Sequence, residues 1–174
     1  MDANFPTVNN KLAFFDFDRT LVAHRYPREA IVEREAYYNE CVRALTVLTE
    51  DHACDRPLPC MQWYAKKLAD EGYGLYVLTH EIFNLRDNLK KDQLSTFYPD
   101  TKMTYLSVDT PEHKIDMMKA VAYVEGCQLS DIIFVDDMLS TVNMAIREGI
   151  DGKHLSDIVV LYESEKAAQE QNNS

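Results

Sequence analysis

The sequence predicts an α/β domain of three layers, built on a five-stranded, mainly parallel sheet with helices on both faces. Three observations carry this. Five short apolar runs read as strands, and most lack period-two alternation, as strands covered on both faces do. Segments of helical spacing lie between them, several ending at a glycine. A chain of 174 residues, 46% hydrophobic, is long enough to bury one core, so residues 1–174 are read as a single domain.

The expected strands, in order, are KLAFF (11–15), GLYVL (74–78), MTYLSV (103–108), DIIFV (131–135) and DIVVLY (157–162). A long helix is expected over 28–51, where Ile31, Tyr38, Cys41, Leu45 and Leu48 mark an apolar face. The helix over 60–72 places Met61, Tyr64, Ala65 and Leu68 together and stops at Gly72. FNLRDNLKKDQLSTFYPD (83–100) reads as an ordinary helix and turn. Two more helices, over 113–126 and 140–149, end at Gly126 and Gly149. The polar tail ESEKAAQEQNNS is expected to fray.

Composition narrows the partners. A net charge of −11 and a pI of about 4.8 work against binding bulk nucleic acid. No apolar run reaches the ~20 residues of a membrane helix, and MDANFPTVNNK lacks the basic start and apolar core of a signal peptide. The four cysteines form no C-x-x-C pair, and His52, Cys54 and Cys60 do not follow a zinc spacing. The chain therefore reads as cytoplasmic with reduced thiols.

In open parallel sheets, ligands bind at the carboxyl ends of the strands. Asp16, Asp18 and Thr20 follow the first expected strand, Thr79 and His80 the second, and Asp136 and Asp137 the fourth. Lys114 lies near the start of the helix before that fourth strand. Singly, each reads as a cap, a turn or a surface charge. Together, two carboxylate pairs at one sheet edge would repel each other without a cation between them. Oxygen ligands without sulfur or imidazole suit Mg²⁺.

The motifs AFFDFDRTL, LYVLT, Lys114 and IIFVDD, in that order over about residues 11 to 150, resemble the haloacid dehalogenase (HAD) superfamily. The resemblance implies a Rossmann-like (HAD-like) fold and a Mg²⁺-dependent phosphomonoester hydrolase. It implies Asp16 as nucleophile and Asp18 as general acid and then base. Thr79 would bond the transferring phosphoryl group, and Lys114 would offset its charge. Asp16, the backbone carbonyl of Asp18, Asp136 and Asp137 would hold the metal. Asp18 separates the chain from the superfamily's dehalogenases, which lack that second aspartate.

The same resemblance directs attention to a cap. Residues 22–59 are read as a flap and minimal helical cap, because Asp18 and Thr79 are only 61 positions apart. An open site admits a phosphorylated small molecule or a phosphopeptide, or a roof supplied by a second copy in a homodimer. Arg19, Thr20, His24, Arg25 and His80 are the candidate substrate contacts. Two alternatives stand beside the phosphatase reading. One is an inactive or regulatory module that binds a phospho-ligand, and the other is a phosphomutase. A response-regulator receiver uses similar residues in a different order.

Overall fold

The computed structural model describes residues 10–23, 55–81 and 87–172. The helix expected over 28–51 lies outside them, as does most of the insertion expected over 22–59. Five strands form one parallel sheet: β1 (Leu12–Phe15), β4 (Gly74–His80), β5 (Met103–Val108), β6 (Ile132–Asp136) and β7 (Asp151–His154), in the order β5-β4-β1-β6-β7. A two-residue ribbon joins β2 (Val22–Ala23) to β3 (Arg56–Pro57). The helices are α1 (Pro59–Asp70), α2 (Asp87–Phe97), α3 (Pro111–Glu125), α4 (Leu139–Arg147) and α5 (Leu155–Asn172).

The apolar run of β1 has a direct cause. Successive side chains point to opposite faces of a strand, and here both faces are covered. Ala13 and Phe15 join a core with Met61, Tyr64, Ala65 and Leu68 of α1 and Ile158 of α5. Leu12 and Phe14 join another with Ile115, Met118 and Ala122 of α3 and Ala145 of α4. Burial of each such large side chain is worth about 1.5–3 kcal/mol. Local signals set the ends of α3. Thr110 caps it by accepting a hydrogen bond from the His113 amide at 3.3 Å, Pro111 opens it, and Gly126 closes it at φ 67°.

The last strand is not where the apolar pattern put it. Residues 157–162 are helical, and the fifth strand is the polar stretch Asp151–His154. In DIVVLY only Ile158 is fully buried, with Tyr162 packing against Trp63 one turn later at 5.7 Å; Val159, Val160 and Leu161 are exposed. That is a helical period, and six apolar letters in a row concealed it. Among the described residues, β7 borders the sheet and pairs only with β6, so it tolerates Asp, Gly and Lys. The tail expected to fray continues α5 as far as Asn172.

Gly152 lies where α4 crosses β7. A Cβ there would stand 2.9 Å from the Val142 carbonyl oxygen, which is backbone. Gly152→Ala should therefore lower the unfolding free energy by about 1–3 kcal/mol. Denaturant midpoints of the two proteins would check this, and equal midpoints would mean that α4 can retreat without cost.

Candidate active site

The central position of β1 decides where the site forms. Its carboxyl end lies between those of β4 and β6, so side chains following three strands converge. The ladder runs on past β1, with the Asp16 amide donating to the Val135 carbonyl at 2.9 Å. The chain then folds back in a tight turn, where the amides of Leu21 and Val22 both donate to the Phe17 carbonyl, at 3.0 and 3.1 Å. Phe17 and Leu21 anchor this turn in the core, and the buried Tyr98 hydroxyl donates to the Leu21 carbonyl at 2.7 Å. Arg19 takes the left-handed conformation the turn requires, at φ 62°. Such a conformation is uncommon for a residue with a side chain, and turns at functional sites are among the places it persists.

Lys114 joins the two acidic motifs. Its ammonium donates to Asp16 Oδ1 at 2.7 Å and to Asp136 Oδ2 at 2.8 Å, and all three residues are buried. Thr20, one of the candidate substrate contacts, is fully buried too, its hydroxyl donating to Asp16 Oδ2 at 3.4 Å. Asp136 Oδ1 accepts from the Met138 amide at 2.7 Å, which fixes the carboxylate at the start of α4. The other lysine of α3, Lys119, is engaged on the surface with Glu148 at 2.6 Å.

Asp16, Asp136 and Asp137 each offer an oxygen within 4.8 Å of the others. Three hard oxygen donors at that spacing fit a small divalent cation such as Mg²⁺. The acidity of the group points the same way. Burial, together with the charges of Asp136 and Asp18, pushes the Asp16 carboxyl up to about 7, against the opposing pull of Lys114. Burial also raises Asp137, with Asp136 adding to it and Arg19 opposing. Burial would lower Lys114, but Asp16 and Asp136 outweigh it and hold the ammonium above its ordinary range. One lysine cannot neutralise this many carboxylates.

The remaining expected residues fall as follows. Thr79 ends up fully buried on β4, its hydroxyl accepting from Lys90 at 3.0 Å. Asp18, partly exposed, accepts from Lys90 at 2.7 Å. Arg19 is exposed, with Nε 3.2 Å from Asp137 Oδ2. His80 ends β4, half-buried, and lies near enough to Glu112 at the start of α3 to help lower its carboxyl, an effect led by a backbone hydrogen bond. His24 and Arg25 lie outside the described residues.

Three groups were not foreseen. Lys90 and Glu81 are buried, 2.8 Å apart. His154 of β7 bonds the Asp137 backbone carbonyl through Nε2 at 2.9 Å. The only sequence signal for Lys90 was the stripe Lys90, Gln93 and Leu94, which is the buried side of α2.

Neither a protein-family model nor a curated protein sequence matches the chain. Solved structures do. A phosphoserine phosphatase, solved as a phospho-aspartyl intermediate analogue, aligns with a TM-score of 0.55 at 16% identity, over 82% of this chain and 84% of its own. A HAD family enzyme from Bacteroides thetaiotaomicron, solved as a magnesium complex, gives 0.55 at 15% identity, over 84% and 93%. A haloacid dehalogenase-like hydrolase from Streptococcus pneumoniae gives 0.52 at 15% identity, over 82% of each chain. Aligned with such structures over about four-fifths of its length, and with β1 at the centre of its sheet, the chain has the haloacid dehalogenase fold.

Proposed function

We propose that this chain is a phosphomonoester hydrolase that works through an aspartyl-phosphate. The observation that carries the reading is the Lys114 bridge, which ties Asp16 to Asp136 from 98 and 22 positions away at 2.7 and 2.8 Å. A buried cation held between two carboxylates at strand ends has little purpose in packing, since a buried ion pair is seldom better than an apolar pair of the same shape. It suits a site that receives a phosphoryl group, whose transfer depends mainly on positioning and charge stabilisation.

Asp16 Oδ forms a bond to phosphorus as the bond to the leaving oxygen breaks, and Asp18 gives that oxygen its proton. Asp18, now a carboxylate, takes a proton from water as the water oxygen bonds phosphorus and the Asp16 oxygen leaves. Thr20 and Lys114 orient Asp16, and Thr79 donates to a phosphoryl oxygen. Asp16, the Asp18 carbonyl and Asp136 would hold Mg²⁺, with Asp137 assisting. When bound, the ion offsets charge on the phosphoryl oxygens. The magnesium complex and the phospho-aspartyl analogue among the similar structures support this reading.

The test is phosphate release from a panel of phosphorylated metabolites and phosphopeptides, with Mg²⁺ and with EDTA. Metal-dependent release is expected. A panel that is bound but never turned over would favour the regulatory alternative. Asp18→Asn is expected to slow turnover about 10²–10⁴-fold. Acid-quench labelling with a ³²P substrate would then reveal phosphate retained on protein, and wild-type rates would remove Asp18 from the mechanism. Among the described residues, no helix is long and apolar enough to cross a membrane.

A further inference from the structure

Lys90 is 1% exposed. An ammonium has three N–H groups and accepts nothing, so it is stable in such a place only among acceptors. Here Nζ donates to Asp18 Oδ2 at 2.7 Å and to Thr79 Oγ1 at 3.0 Å, and Glu81 Oε2 lies 2.8 Å away as a counter-charge, off the line of a hydrogen bond. The Phe17 ring lies beneath it, 5.4 Å away. A purely structural lysine needs one counter-charge. This one spans the residues that follow β1 and those that end β4.

The helix carrying it is moored at three successive positions. Asp87, in its first turn, accepts from the hydroxyls of Tyr105 at 2.9 Å and Ser107 at 3.1 Å, both on β5. Lys90 follows one turn later. Gln93, a turn beyond that, donates to the buried Asp55 at 2.9 Å. Side chains held by a fixed helix place their partners more narrowly than loops do.

We propose that Lys90 is a positioning residue of the phosphoryl pocket: it makes Thr79 a hydrogen-bond donor toward the phosphoryl group and fixes the Asp18 carboxylate beside it. A threonine oxygen has one proton to give and two lone pairs to receive with. Lys90 can only donate, so it occupies the receiving side of Thr79. The threonine proton is left for another oxygen, and a phosphoryl oxygen, which only accepts, is such a partner. Three oxygens already surround the ammonium, so Lys90 acts through its neighbours rather than on the phosphoryl group. Glu81 supplies a second counter-charge that holds Lys90 in place. This inference rests on the phosphatase reading.

The test is inorganic phosphate binding to the Mg²⁺-loaded full chain by calorimetry, for wild type, Lys90→Met, Thr79→Val and the double variant. Lys90→Met is expected to weaken binding about tenfold. In the Thr79→Val background the same change should have a clearly smaller effect, because no hydroxyl is left to orient and only the Asp18 contact remains. Equal binding by Lys90→Met and wild type overturns the proposal. So does an undiminished tenfold loss in the Thr79→Val background, which is the result a merely structural lysine gives. If Lys90→Met fails to fold, Lys90→Met with Glu81→Gln, which also removes a buried carboxylate, takes its place in the cycle. A wild type that neither binds phosphate nor releases it from any ester removes the phosphatase reading and this inference with it. That outcome is distinct from a wild type that binds while Lys90→Met binds equally well.

Discussion

Asp16→Asn is expected to reduce phosphate release by at least about a thousand-fold, because an amide cannot serve as the attacking oxygen. The fold should survive, since the side chains differ by little in shape. The same variant should also change stability in a direction that identifies its cause. Asp16 is raised from 3.8 to about 7, chiefly by burial, so in the metal-free fold it keeps a proton that the unfolded chain has lost. Where the native state binds more protons, stability falls as pH rises. In EDTA, then, the wild-type melting temperature should carry an Asp16 contribution that declines between pH ~4 and ~7. Asp16→Asn removes that decline and melts higher at neutral pH. Melting curves of both proteins across this range check the sign, and parallel slopes would mean that Asp16 is not strained in the metal-free site. Mg²⁺ should raise the wild-type midpoint, because a cation that binds only the folded state stabilises it.

Lys114→Met is the second large effect, and it is expected in stability as much as in turnover. The ammonium lies 2.7 Å from Asp16 and 2.8 Å from Asp136. Its removal leaves two buried carboxylates facing one another. Breaking a buried pair by deleting one partner costs about 3–5 kcal/mol. In EDTA the variant should melt well below wild type, and Mg²⁺ should recover much of the difference by restoring positive charge between the two aspartates. Coincident melting curves in EDTA would show that the lysine is replaceable by water. Recovery absent with Mg²⁺ would separate the lysine from the metal cluster.

How far the sequence could be read depended on what each residue does. Strands β1 and β6, at the centre, were legible because two-sided burial leaves an uninterrupted apolar run. Edge strand β7 was not, because a strand paired on one side can be built from Asp, Gly, Lys and His. Asp16, Thr79, Lys114 and Asp136 were found by position, at or after the carboxyl ends of strands and one helix before the last of them. Lys90 and Glu81 carry no such marker. Lysine on a helix is ordinarily a solvated charge, and only the packing of α2 against the turn after β1 turns this one inward. The engagement of Thr20 with Asp16 belongs to the same class, since it depends on the turn that Phe17 and Tyr98 pin down.

The central place of β1 has a consequence for how the protein is made. Its partners are Gly74 to Val77 on one side and Ile132 to Val135 on the other. A ribosome therefore delivers β1 first and its second neighbour more than a hundred residues later. Until then the most apolar segment of the sheet has an open flank, and Asp16 has neither the Val135 carbonyl to anchor it nor Asp136 beside it. Pairings this distant in sequence close slowly and leave strand edges exposed while they wait. Nascent chains released before β6 emerges should be captured by holding chaperones, and the cluster of Asp16, Lys114 and Asp136 should form late and all at once.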